Sequence, residues 1–346
     1  MFQPDYQHIV DAASNRAAKR LPLYEHTINI DFIERVLGKE IAGLRNEGDS
    51  GIREFLREYC RFYYEMGYDT VSYENCIGPS MPGSGALGGH VEGAIKDRAD
   101  FERYPWAEIP DLFFKQTSRR FELLREVMPA GMKGIGGVGN GIFECVQDIT
   151  GYMDLCYIRE DDPELYADLF KKVGETNLAI WKRFLKEFSD VFCVMRFGDD
   201  LGFKSAPLIP AEDIKNLVAP AYKAIIDEIH SYGKKFLLHS CGNIFEVMDD
   251  LIAAGIDAKH SNEDIIAPFT EWVERYGGRI GNFGGFDASE LCLLDEKGVE
   301  AYTLDVLHKC EGHGGIAFST GNSVPGYIPT ENYFAMINAV KKYRGE

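Results

Sequence analysis

Lys235-Phe236-Leu237-Leu238-His239-Ser240-Cys241-Gly242-Asn243 joins a short apolar run to an imidazole and a thiol two positions apart, just before a glycine. A run of this length and polarity reads as a buried strand. In an extended segment, residues two apart share a face, so His239 and Cys241 can converge on one ion or one substrate. Zinc takes three or four protein ligands, so the pair alone is not a metal site. A plain strand end carrying two residues of middling polarity has the same local sequence. The fold turns on whether the unit recurs.

Working outward, it does. Upstream lie Gly67-Tyr68-Asp69-Thr70-Val71-Ser72-Tyr73-Glu74, then Met132-Lys133-Gly134-Ile135-Gly136-Gly137, then Val191-Phe192-Cys193-Val194-Met195-Arg196-Phe197, which ends in Gly198-Asp199-Asp200. Downstream, Ile256-Asp257-Ala258-Lys259 ends in His260-Ser261-Asn262-Glu263, and Arg279-Ile280-Gly281-Asn282-Phe283 ends in Gly284-Gly285-Phe286-Asp287. Gly314-Gly315-Ile316-Ala317-Phe318-Ser319 ends in Thr320-Gly321-Asn322-Ser323. Helical stretches alternate with these runs at 143–157, 162–188, 211–232, 244–254, 299–310 and 329–342. Strand–helix units with short connections predict a parallel sheet. Polar residues gathered at strand ends predict an α/β fold of one (β/α)8 TIM barrel, with its site on the C-terminal face. An open doubly wound sheet is disfavoured, because no Gly-x-Gly-x-x-Gly opens a βαβ unit. Residues 1–60 read as an N-terminal helical extension, and 61–346 as the barrel catalytic domain. The glycine-rich stretch 78–89 reads as a loop or lid, since it lacks the Lys-Ser/Thr ending of a phosphate-binding loop.

Composition narrows the function. The 346 residues carry 37 Lys and Arg against 55 Asp and Glu, a formal charge of -18. Such a field repels nucleic acid and anionic membranes. No apolar run approaches the roughly 18–20 residues that span a bilayer. Met1-Phe2-Gln3-Pro4-Asp5 lacks the order of a secretory signal, so a cytoplasmic location is expected. The eight cysteines are scattered, as in a chain whose thiols stay reduced.

The strand ends supply the candidate chemistry. His239, Glu74 and Asp199 are the acid–base candidates. Arg196, Asp200, His260, Asn262, Asn282, Asp287 and Asn322 are candidates for holding substrate. His239 and Cys241 are the first two metal ligands, with Cys76 and Glu74 the best placed to complete the shell. Each has a structural alternative: Arg196 can pair with a neighbouring acid, and Asp199 or Asp200 can cap the following segment.

Four stretches resemble the uroporphyrinogen decarboxylase superfamily, most closely its cobalamin-dependent methyltransferase branch. Gly139-Asn140-Gly141-Ile142-Phe143-Glu144, with Ile149-Thr150-Gly151-Tyr152, is similar to the family's Gly-Pro-Phe segment, with Asn140 in place of proline. Gly198-Asp199-Asp200-Leu201-Gly202 resembles its Asp-Asp-x-Gly turn, and His239-Ser240-Cys241-Gly242-Asn243 the first two zinc ligands of the methyltransferases. Ser319-Thr320-Gly321-Asn322-Ser323-Val324-Pro325, with Pro329-Thr330-Glu331-Asn332-Tyr333, resembles the C-terminal signature. The resemblance implies methyl transfer between a small methylated compound (O-methyl, methylamine or methylthiol) and a corrinoid, with demethylation favoured. The corrinoid is expected on a partner protein, because the chain lacks Asp-x-His-x-x-Gly. In thiol-methylating members a third cysteine ligand stands where this chain has Asn322. Either another side chain completes a zinc shell, or no such metal is used. The alternative is a decarboxylase of a tetrapyrrole or another acid, although the paired-arginine loop of those enzymes is missing near Ala18-Lys19-Arg20-Leu21-Pro22-Leu23-Tyr24. A homodimer is compatible with the sequence.

Overall fold

A computed structural model describes residues 2–89 and 91–346. Seven strands form its sheet: β1 (Thr70–Cys76), β2 (Lys133–Gly139), β3 (Phe192–Gly198), β4 (Lys235–His239), β5 (Ala258–His260), β6 (Gly281–Phe286) and β7 (Ile316–Thr320). They lie in chain order and every neighbouring pair is parallel, as right-handed strand–helix–strand repeats require. The expected closed eight-stranded barrel is corrected to an open, curled seven-stranded sheet. The physical reason lies after β7, where the chain runs through a loop into the helix Thr330–Tyr343 with no eighth strand. Residues 22–29 occupy the flank of β7 instead. Bridges join Leu23 to Phe318 and Ile28 to Val324, and Ser72 Oγ on β1 donates to the His26 carbonyl at 2.6 Å.

Helices cover the outer face. Pro163–Phe188 begins where the sequence predicts, with Asp162 accepting from Leu165 N at 2.8 Å and proline in the first turn. The predicted single helix over 143–157 is two, Ile142–Thr150 and Tyr152–Asp161, parted at Gly151 with φ +82°. The inner face of the sheet buries Ile135, Val194, Leu237, Ala258, Phe283 and Ala317. Ile9, Ala12 and Ala13 of the helix Gln7–Ala13 pack into the same cluster. No helix among the described residues is long and apolar enough to cross a membrane.

Register places the site. Gly198, His239, His260 and Phe283 are successive partners across β3 to β6, so the two imidazoles stand side by side. Gly198 has no side chain, and a Cβ there would lie 3.5 Å from the His239 ring and 3.9 Å from that of His26.

Candidate functional site

Three histidines meet at the strand ends. The rings of His26 and His239 stack with centroids 3.7 Å apart and planes 5° from parallel. His239 Nδ1 is 2.7 Å from His260 Nδ1, and His260 Nε2 is 3.0 Å from the Thr320 carbonyl. These contacts determine the protons. A carbonyl only accepts, so His260 Nε2 carries a hydrogen. Burial drives the His260 pKa down to about 3, so that ring is neutral and its Nδ1 is a lone pair. His239 Nδ1 must therefore be the donor to it. Burial also holds His239 well below the usual imidazole range, with His260 adding to the effect, which leaves Nε2 as a bare lone pair.

That lone pair faces Cys241 Sγ at 3.4 Å and Asp200 Oδ1 at 3.7 Å. Ligands on a tetrahedral zinc, at about 2.0–2.3 Å from it, stand about 3.4–3.6 Å from one another. The donor set and its spacing therefore fit zinc with an open fourth position. Asp200 also accepts from Cys241 N at 2.9 Å, which ties the β3 and β4 loops together. Their approach needs glycine on both sides: a Cβ on Gly242, whose φ is +82°, would lie 2.2 Å from Gly202. Asn322 Nδ2 donates to Cys241 Sγ at 3.4 Å, so an amide hydrogen bond occupies the position where the resemblance expects a third thiolate. The three-histidine set is less suited to an ion. Its 2.7 Å nitrogen separation is a hydrogen-bond length, below the roughly 3.3 Å that two ligands of one ion would keep.

The other predicted residues have other settings. Arg196 is 1 % exposed and fully engaged. Its Nη2 and Nε donate to Glu74 Oε2 at 2.7 and 3.1 Å, and Nη1 donates to the Tyr24 hydroxyl, the His26 carbonyl and Ser72 Oγ. Glu74 thus faces a guanidinium, and Cys76 at the end of β1 is exposed. Among the described residues, neither joins a group of close metal-ligating atoms with His239 and Cys241; Asp200 does. Asp199 is buried under the helix Ile142–Thr150 and accepts from Phe143 N, Glu144 N and the Tyr222 hydroxyl at 3.0, 2.8 and 2.6 Å. Burial pushes its carboxyl up to about 6 against those bonds. Asn262 Oδ1 accepts from Gly285 N, and Asp287 caps the helix Ala288–Leu293. Both line a separate cavity of about 610 Å³ beside Asn322. Asn282 lies at the entry end of β6, bonded to the Ile280 carbonyl, away from the mouth.

Two members of the site were not anticipated. His26 lies in a segment with no strand periodicity, so no local signal marks it. Glu144 accepts from Asn140 Nδ2 and Asp200 N, and burial beside Asp199 and Asp200 holds its carboxyl well above the usual range. Asn140 carries a φ of +64°, a backbone conformation that asparagine tolerates better than most residues. Its place at a strand end was the available clue to Glu144.

Residues 83–343 match the sequence profile of the family described as uroporphyrinogen decarboxylase (URO-D). No curated protein sequence matches the chain. Among solved structures, a methyltransferase from Methanosarcina mazei superposes with a TM-score of 0.74 over 99% of each chain at 15% identity. A putative vitamin-B12-independent methionine synthase from Listeria monocytogenes gives 0.52 at 12% identity, over 94% of this chain and 98% of its own. A B12-independent methionine synthase from Shewanella sp. W3-18-1 gives 0.50 at 13% identity, over 96% and 97%. At these identities the likeness is one of fold.

Proposed function

The chain belongs to the uroporphyrinogen decarboxylase family, and from that premise we propose that it is an enzyme moving a methyl group between a small methylated compound and a corrinoid carried by a separate protein. The observation that carries this reading is the convergence of His239 Nε2, Cys241 Sγ and Asp200 Oδ1 at the strand ends, with spacing suited to zinc. The Methanosarcina mazei methyltransferase, similar over the whole chain, supports it.

Zinc bound there supplies Lewis acidity to the heteroatom that gains or loses the methyl group. The chain's own residues do the rest. His239 presents an unprotonated nitrogen, held in that tautomer by His260 and the Thr320 carbonyl. Asn322 donates to the Cys241 sulfur, a bond that favours the thiolate. Glu144, whose carboxyl burial beside Asp199 and Asp200 holds well above the usual range, is the group that would give a proton to a departing oxygen or nitrogen. A donor losing its methyl group needs such an acid, so demethylation is the favoured direction.

Decarboxylation of a polycarboxylate is the second reading, and the cations at the mouth bear on it. Arg196 is neutralised by Glu74, which leaves Arg45 and Arg120 as the arginines of the adjoining cavity without an acidic partner. Two cations suit a substrate with one acid group better than one with many.

The test is methylation of cob(I)alamin by O-methyl, N-methyl and S-methyl donors, run beside cobalt(II) substitution of the protein. Transfer from one donor class is expected, with a sulfur-to-cobalt charge-transfer band that Cys241→Ser abolishes and Asp200→Ala perturbs. No transfer from any class would refute the reaction, and a spectrum indifferent to Cys241→Ser would refute the metal centre.

A further inference from the structure

Ala258 of β5 packs into the cluster on the inner face, so Lys259 beside it points to the outer face. There it is only 3% exposed, yet it pairs with no carboxylate among the described residues. Its ammonium donates to the Ser261 carbonyl and sits 3.6 Å from the centroid of the Trp272 ring. Trp272, in the helix Phe269–Tyr276, is itself stacked on Phe245 with centroids 4.2 Å apart. An aromatic face attracts a cation without neutralising it. A buried ammonium with no counter-ion destabilises a fold, and a chain with 55 acidic residues has carboxylates to spare for one.

This charge lies next to the proposed metal centre. Ser261 links the two: its carbonyl takes the ammonium's hydrogen bond, and its hydroxyl stands 3.8 Å from Cys241 Sγ. Burial lowers the Lys259 ammonium to about 7, and the negative groups that resist this are Cys241, Glu263 and Asp200. Two of these three are the proposed zinc ligands beside His239. Zinc held by one thiolate, one carboxylate and a neutral imidazole carries no net charge. A further anion at the open position leaves one negative charge, and Lys259 supplies the cation to balance it.

We infer that Lys259 is a specificity-determining residue, a fixed positive charge that makes the centre hold an anionic oxygen or sulfur in preference to a neutral ligand. It acts through its field across Ser261 and touches no substrate. In the proposed reaction the carbon–heteroatom bond breaks and its electron pair stays on the heteroatom. The methyl group passes to cob(I)alamin, whose cobalt supplies the pair for the new bond. Lys259 favours the charge left on the heteroatom until a proton reaches it. That step rests on the proposed reaction, whereas the preference for an anion rests on the metal centre alone.

Titrating the cobalt(II)-substituted full chain with azide and with neutral pyridine, followed in the visible spectrum, tests the charge. Lys259→Met keeps the length and apolar contacts of the side chain, and it should weaken azide about tenfold or more. Pyridine affinity should be unchanged. Cobalt(II) should bind this variant at least as tightly as the wild type, because a neighbouring positive charge repels the ion. A merely structural role would weaken all three together. Lys259→Gln keeps a hydrogen-bond donor without the charge and should behave like Lys259→Met. Wild-type azide affinity in either variant, or a parallel loss of azide and pyridine, would overturn the role. A wild-type protein that takes up no cobalt(II) would remove the metal centre and this role with it. An azide preference that depends on Lys259, without methyl transfer to cob(I)alamin, would keep the role and remove the proposed reaction.

Discussion

His239 can offer its Nε2 lone pair only while Nδ1 keeps its proton, and His260 enforces that arrangement. Replacing His260 by alanine removes the acceptor for Nδ1–H and frees the ring to turn. Losing such an orienting partner typically costs 10- to 100-fold in metal affinity. We expect His260→Ala to weaken cobalt(II) or zinc binding by about that factor in competition with a chelator, and His260→Gln to recover much of it. A glutamine carbonyl can accept from His239 while its amide donates to Thr320. Unchanged affinity in the alanine variant would refute the orienting role. At this scale the sequence was half informative. The i, i+2 spacing of His239 and Cys241 predicts a shared face, and the two side chains do meet. Asp200 as their neighbour was not legible as a ligand, because it arrives through a loop bond to Cys241 N that no spacing rule anticipates.

The helix Ile142–Thr150 starts on a borrowed cap. Its own N-cap is Gly141, whose side-chain position would collide with Asp199 Cβ at 2.3 Å, so β3 supplies the carboxylate across the gap. Asp199→Ala removes two bonds to the orphan N–H groups of the first turn, worth about 0.5–2 kcal/mol. It also strands the buried Tyr222 hydroxyl, at about 1–3 kcal/mol. Together these predict a loss of about 3 kcal/mol in urea unfolding. A loss below about 1 kcal/mol would show the cap to be dispensable. Asp199 read as an acid–base candidate from its strand-end position, and capping was the alternative raised for it. Sequence cannot choose between them, because both need an acid in the same turn. The strands themselves were readable, since each is a short apolar run bounded by glycine or polar residues. Their ends were less so: β6 continues through Gly284 and Gly285 to Phe286, which moves Asn282 from an expected mouth to the opposite end.

The least legible part of the molecule is the segment beside β7, because its inward residues are polar. Residues 22–29 carry Tyr24 and Glu25 into buried hydrogen bonds and stack His26 on His239, so they show no apolar alternation to announce an extended segment. Glu25 fastens this segment to the sheet. Its Oε1 accepts from Thr320 N at 3.2 Å, and its Oε2 lies 2.5 Å from Thr320 Oγ1. Thr320 Oγ1 is also 2.8 Å from the Asn322 carbonyl, which can only accept. Thr320 donates to Glu25 through both its N and its Oγ1, bonds that favour the ionised carboxyl. Burial outweighs them, pushing the carboxyl from 4.5 up to about 8. The sign follows from linkage: between those values the folded chain holds a proton that the unfolded chain has released, so stability falls as pH rises. The contribution is complete below about pH 4.5 and gone above about pH 8. Glu25→Gln keeps a donor and an acceptor in place without an ionisable group. Urea unfolding of the two proteins across that window should show the wild type losing stability relative to the variant, with the gap level above it. Parallel pH profiles would mean that Glu25 is ionised in the fold and that the segment is held to β7 by a charged bond.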